Sequence, residues 1–219
     1  MRFLQLLLVG SALHTPYPPL ADYLMPREAE VALARSAAPD GITGHATIKV
    51  LTKDGYQVAL KGDNGFVCLV LRGWSAPTFT PAQFRALVYD AKVRGPICYN
   101  PVAARTVLPY QELKAQLAIA GKDPDQIAAA VKDAYANGKL PKMEQVAFAY
   151  MFSADMYLAP GIGAFHPHVM VFTPYYENAM LGGNPFGGPA PFVSDDAGTP
   201  FTVTVIPVDP ALAVKAHTS

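Results

Sequence analysis

Between Ala46 and Leu71 apolar and polar residues alternate in short runs. Ala46-Thr47-Ile48-Lys49-Val50 and Tyr56-Gln57-Val58-Ala59-Leu60 repeat with period two, the spacing that sends successive side chains to opposite faces of a strand. Lys53-Asp54-Gly55 between them has the composition of a hairpin turn, and Gly62-Asp63-Asn64-Gly65 marks a second turn. The third run, Phe66 to Leu71, is apolar on both faces and predicts a central strand. Together they predict a β-meander over residues 46–71.

From Trp74 to Leu140 the spacing becomes helical. Thr80-Pro81 starts a short helix through Phe84 and Leu87, and Asn100-Pro101 joins a capping residue to a first-turn proline. Pro109 interrupts the helical run from Asn100, predicting a short helix and then a longer one from Tyr110 to Ala120, stopped by Gly121. Asp123-Pro124 opens another helix, in which Ile127, Val131, Ala134 and Tyr135 form one apolar stripe before Gly138. Upstream, Pro26-Arg27-Glu28 opens a helix that runs to about Ser36.

Strand-like runs return at Val146–Phe152, at Val169–Thr173 and at Phe201–Ile206. Residues 182–200 are too rich in Gly and Pro for regular structure, and the tail from Pro207 is expected to fray. The predicted class is α+β. Its sheet is mainly antiparallel, built from the meander at 46–71 plus strands near 146–152, 169–173 and 201–206, with the helices packed on one face.

Composition narrows the classes of function. The chain has 219 residues, of which 51% are hydrophobic and 16% charged, which fits one domain with its own core and excludes a disordered chain. Seventeen basic residues balance seventeen acidic ones without a basic stripe, which argues against nucleic-acid binding and electrostatic membrane attachment. Met1-Arg2 followed by the apolar run Phe3–Leu13 has the pattern of an export signal and is too short to span a bilayer; a buried N-terminal helix is the other reading. Residues 14–25 are proline-rich and have the look of a linker. The expected organisation is a signal peptide and linker over 1–25 and a single α+β domain over 26–219, periplasmic or secreted, with no transmembrane segment once the signal is removed.

Candidate chemistry concentrates between Glu144 and Glu177. His166 and His168 flank Pro167, and two histidines two apart in a strand project from one face, where both could ligate one metal ion. Cupins use a His-x-His in this way, but place a glutamate four or five residues later, where this chain has Phe172 and Thr173. Glu177 and Asp155 are the nearby carboxylates. The structural reading is that Pro167 marks a strand start and the histidines hydrogen-bond loop backbone. Ser153 and Asp155 allow a Ser–His–Asp arrangement on paper, with no support from spacing. Ser194-Asp195-Asp196 reads as a solvated turn in preference to a cation site. The loop carrying Phe186 and Phe192 is either a lid over a pocket or a surface excursion packed by its own aromatics. Cys68 and Cys98 are the only cysteines; export gives them a reason to pair, and two buried apolar thiols is the alternative. Common catalytic motifs, including Gly-x-Ser-x-Gly, His-Glu-x-x-His and the phosphate and dinucleotide loops, do not occur.

Asn64-Gly65-Phe66-Val67-Cys68, Pro96-Ile97-Cys98-Tyr99-Asn100-Pro101 and His166-Pro167-His168 before an apolar strand resemble a set of uncharacterised bacterial proteins predicted to be exported. The resemblance covers roughly residues 27–206 and implies export without implying an activity. The expected function is that of an exported, soluble ligand-binding or envelope accessory domain. The alternative is a metal-dependent hydrolase or oxygenase built on His166 and His168. The sequence points to no particular cofactor or oligomeric state; a small-molecule ligand is the partner it suggests.

Overall fold

The computed structural model describes residues 18–79, 89–144, 147–159 and 166–217. Its helices are α1 (Arg27–Arg35), α2 (Asp40–Thr43), α3 (Pro101–Thr106), α4 (Leu108–Ile119) and α5 (Pro124–Ala136). Its strands are β1 (Thr47–Thr52), β2 (Gly55–Leu60), β3 (Val67–Leu71), β4 (Gly95–Tyr99), β5 (Phe148–Met151), β6 (His168–Phe172), β7 (Phe192–Asp195) and β8 (Val203–Pro207). All eight join one sheet in the order β2-β1-β3-β4-β5-β6-β8-β7. Every pairing is antiparallel except β1 with β3. The α+β class holds, with a mixed and mostly antiparallel sheet.

The first three strands are not a meander. After β2 the chain crosses the start of β1, so β3 lies beside β1 and parallel to it, through Thr47 with Val67 and Ile48 with Cys68. Gly62 makes the crossing possible: a Cβ there would stand 2.2 Å from the His45 carbonyl oxygen, so no larger residue fits. The crossing is then tied down by the amides of Asp63 and Asn64, which donate to the His45 carbonyl at 3.0 and 3.3 Å.

The helix starts obey their local chemistry. The Asn100 side chain accepts from the Ala103 amide to cap α3. Asp123 and Gln126 form a full capping box on α5. The proline that interrupts the pattern, Pro109, sits in the first turn of α4, where its missing N–H costs nothing.

The helices do not share one face of the sheet. Strand alternation sends Cys68, Val70 and Cys98 to one side, where α1 contributes Leu33 and Ala34 to a small core. It sends Leu69, Leu71, Ile97 and Tyr99 to the other, where α4 and α5 contribute Tyr110, Ala115, Ile127 and Val131 to a larger core. A sheet whose central strands are apolar on both sides needs a cover on each.

Several segments depart from the sequence reading. Residues 95–99 are a central strand, although Pro96 removes a ladder donor; β5 pairs only with Cys98 and Tyr99, so on that side the ladder never reaches the proline. Part of the 182–200 segment is the edge strand β7. The tail does not fray at Pro207, because Val214 exchanges hydrogen bonds with Phe152 and Ala154. Tyr23, expected in a linker, is buried against Trp74 at 4.8 Å between ring centroids. Residues 14–17 of the expected linker, the export signal and the helix expected at 80–87 lie outside the described residues. The structure joins Cys68 and Cys98, directly opposite each other on β3 and β4, in a disulfide. No helix among the described residues is long and apolar enough to cross a membrane.

Candidate functional site

The inner face of the sheet from β3 to β8 does not close fully against α4. It leaves a cavity of about 130 Å3. Its floor is built by inward positions of successive strands, such as Ile97 and Tyr99 of β4, Met151 of β5 and Met170 of β6. Tyr110 and Gln111 of α4 form the roof, and Ser194-Asp195-Asp196 forms one wall. Phe186 borders the cavity while 53% exposed, so it stands at the mouth and packs on Phe192 at 5.2 Å.

The wall is a buried polar cluster. A register shift between Val193 and Asp195 brings Asp195, rather than Ser194, opposite Val203 of β8, whose side chain lines the cavity. Asp196 comes next, in the left-handed region at φ 48°, which aspartate tolerates better than most residues. Its carboxylate accepts from the amides of Thr78 at 3.0 Å and Phe79 at 2.6 Å, and from the Tyr110 hydroxyl at 3.4 Å. That hydroxyl also makes a short contact with Thr78 Oγ1. Lys114, one turn along α4, is 2% exposed and donates Nζ to the Ala76 carbonyl at 2.5 Å.

Burial dominates the electrostatics of this cluster. It lowers the Lys114 ammonium to about 8, against the opposing pull of Asp196 and Asp195. It raises the Asp195 carboxyl to about 6; the hydrogen bond from Ser194 acts downward, the Asp196 charge upward and Lys114 downward. Ser194 and Asp195 lie in β7 and are half-buried, and Asp196 is only 2% exposed, so the three are no solvated turn. The sequence carried one signal for this, two adjacent carboxylates beside a strand, but not the lysine and tyrosine that fold against them.

His166 and His168 occupy different environments. His168 opens β6, is 2% exposed and lines the cavity, whereas His166 is exposed. His168 Nδ1 lies 3.0 Å from the His166 carbonyl oxygen, which can only accept, so Nδ1 carries the proton and Nε2 is the acceptor. Burial lowers the His168 pKa to about 4, partly offset by that hydrogen bond, so the ring is neutral at pH 7. No three His, Cys, Asp or Glu residues group as a metal site among the described residues. Of the other candidates, Ser153 accepts from Ser36 Oγ at 2.7 Å and from the Asp155 amide at 3.2 Å, tying the end of β5 to the helical segment around α1. Asp155 accepts from the Ala216 amide in the tail. The Ser–His–Asp grouping is not brought together among these contacts.

No family model matches the chain, and neither a curated protein nor a solved structure matches it.

Proposed function

We propose that this chain is an exported domain that binds a small, mainly apolar molecule in the cavity between the sheet and α4. The observation that carries the reading is a cavity of about 130 Å3, lined mainly by apolar side chains with a few polar groups among them. Small-molecule sites have this composition, apolar surface supplying affinity and a few polar groups fixing orientation. An apolar void also forfeits contacts that an occupant would restore. Export rests on the Arg2 and Phe3–Leu13 pattern, and the Cys68–Cys98 disulfide fits an oxidising compartment.

Xenon is a suitable probe of an apolar cavity of this size. In 129Xe NMR the protein is expected to shift the xenon resonance in a saturable way, and Met170→Trp, which fills the floor, is expected to abolish the shift. No saturable shift in the wild-type protein would refute the binding reading. N-terminal sequencing of protein from its native host is expected to begin beyond Leu13; an intact Met1 would refute export.

A further inference from the structure

The cavity's lining narrows the chemistry of its occupant. Tyr99, Tyr110, Phe172 and Phe201 present aromatic rings to it, and Met143, Met151 and Met170 supply polarizable thioethers. Aromatic edges and thioether sulfurs both favour contact with another aromatic ring. A void of about 130 Å3 is also near the size of an engineered apolar cavity, about 150 Å3, that holds one benzene molecule.

Unpartnered polar atoms interrupt this apolar lining. Among the described residues, Gln111 Oε1, the Tyr99 hydroxyl and Ser75 Oγ are buried without a hydrogen-bond partner. All three residues line the cavity, and Gln111 and Tyr99 are 9% and 0% exposed. Buried polar atoms are nearly always satisfied, so unsatisfied ones around one void point to what the void receives. An amide oxygen can only accept, so the occupant must donate an O–H or N–H. A hydroxyl can do this and still accept from Tyr99 or Ser75.

The charged side chains of the lining already have hydrogen-bond partners within the protein. Arg72 is held by Glu30, and Asp196 by the amides of Thr78 and Phe79. Asp195 accepts from the Ser194 hydroxyl at 2.7 Å. A charged occupant would have to give up its hydration in a low-dielectric site lined mainly by apolar groups, whereas a neutral donor would not.

We propose, building on the apolar-ligand reading, that the occupant is a neutral single-ring aromatic bearing a hydroxyl or N–H donor, with phenol its simplest representative. The donor meets Gln111 Oε1, and the ring lies among the aromatic and methionine side chains.

The test titrates the purified full-length protein with phenol, benzene and cyclohexane by isothermal calorimetry at neutral pH, with ligand-observed NMR as a second readout. Phenol is expected to bind at least about tenfold more tightly than benzene, as one well-made hydrogen bond to a buried acceptor allows. Gln111→Leu is expected to bring phenol affinity down toward that of benzene, and Tyr99→Phe to lower it less. Equal affinity for phenol and benzene would overturn the donor assignment while leaving the apolar cavity reading intact. Preference for cyclohexane over both aromatics would overturn the aromatic assignment with the same consequence. Failure of all three to bind would overturn this proposal, and the xenon shift then decides whether the apolar-ligand reading falls with it. The phenol-to-benzene ratio of the wild-type protein decides the matter even if a variant does not fold.

Discussion

Substituting either member of the Glu30–Arg72 pair should destabilise the protein, but with different dependence on pH. Both side chains are fully buried, and Arg72 Nη2 donates to Glu30 Oε1 at 2.9 Å. Glu30 also accepts from the Leu51 amide at 3.0 Å, tying α1 to β1. Arg72 donates to the Tyr23 carbonyl at 2.8 Å and the Val70 carbonyl at 2.6 Å. Removing one member of such a pair strands the other, at about 3–5 kcal/mol. Glu30→Gln keeps an acceptor for Leu51 but leaves a guanidinium that cannot lose its proton. Arg72→Met leaves a carboxyl that can be neutralised by protonation. Burial already raises the Glu30 pKa, chiefly against the attraction of Arg72, and losing Arg72 must raise it further. A carboxyl with a raised folded-state pKa contributes stability below its unfolded value that is lost as pH rises through the folded one. Arg72→Met should therefore approach wild-type stability as pH falls from 8 to 5, while Glu30→Gln, which has no carboxyl to protonate, should show no such recovery. Urea denaturation of both variants and wild type at pH 5, 6.5 and 8 measures this; at neutral pH the melting temperature should fall by roughly 6–20 °C in each. Parallel pH profiles for the two variants would refute the asymmetry. A deficit below about 1 kcal/mol in both would refute the buried pair.

The site and the disulfide give further expected outcomes. His168 has a depressed folded-state pKa, so the unfolded chain takes up its proton first and stability is lost as pH falls from about 6.5 to about 4; His168→Gln should remove about 3 kcal/mol of that loss, and its ring resonances should not titrate above pH 5 in NMR. Reducing Cys68–Cys98, 30 residues apart, should lower stability by about 3–4 kcal/mol, and non-reducing mass spectrometry should find no free thiol. Purified protein should carry metal at well below one equivalent per chain by mass spectrometry. Stoichiometric Zn, Fe, Cu or Mn that is lost in both His166→Ala and His168→Ala would instead establish the metal-dependent enzyme.

Much of the fold was legible wherever local rules decide it. Period-two alternation marked β1 and β2, and a capping residue before proline marked the starts of α3 and α5. These signals are local because the groups they satisfy lie within a few residues. Sheet order was not legible: nothing in the runs at 46–71 says that Gly62 lets the chain cross β1, and so turns an expected meander into a parallel pair. Strand β4 was hidden by Pro96, whose cost depends on how far the neighbouring ladder reaches.

The site divides in the same way. Sequence alone singled out His168, and two residues two apart did suggest a shared face. It could not tell that one ring would be buried against its neighbour's carbonyl while the other stayed exposed. Nor could it gather Tyr110, Gln111 and Lys114 from α4 with Tyr99 from β4 and Asp195 from β7, residues nearly a hundred positions apart at the extremes. A strand's alternation determines which side chains share its face, and the sequence carries that. Which strand lies beside it, and which helix roofs it, depends on long-range packing of apolar faces that many partners would satisfy equally well. Only the tertiary structure made that choice, and with it the cavity and its buried, unpartnered acceptors.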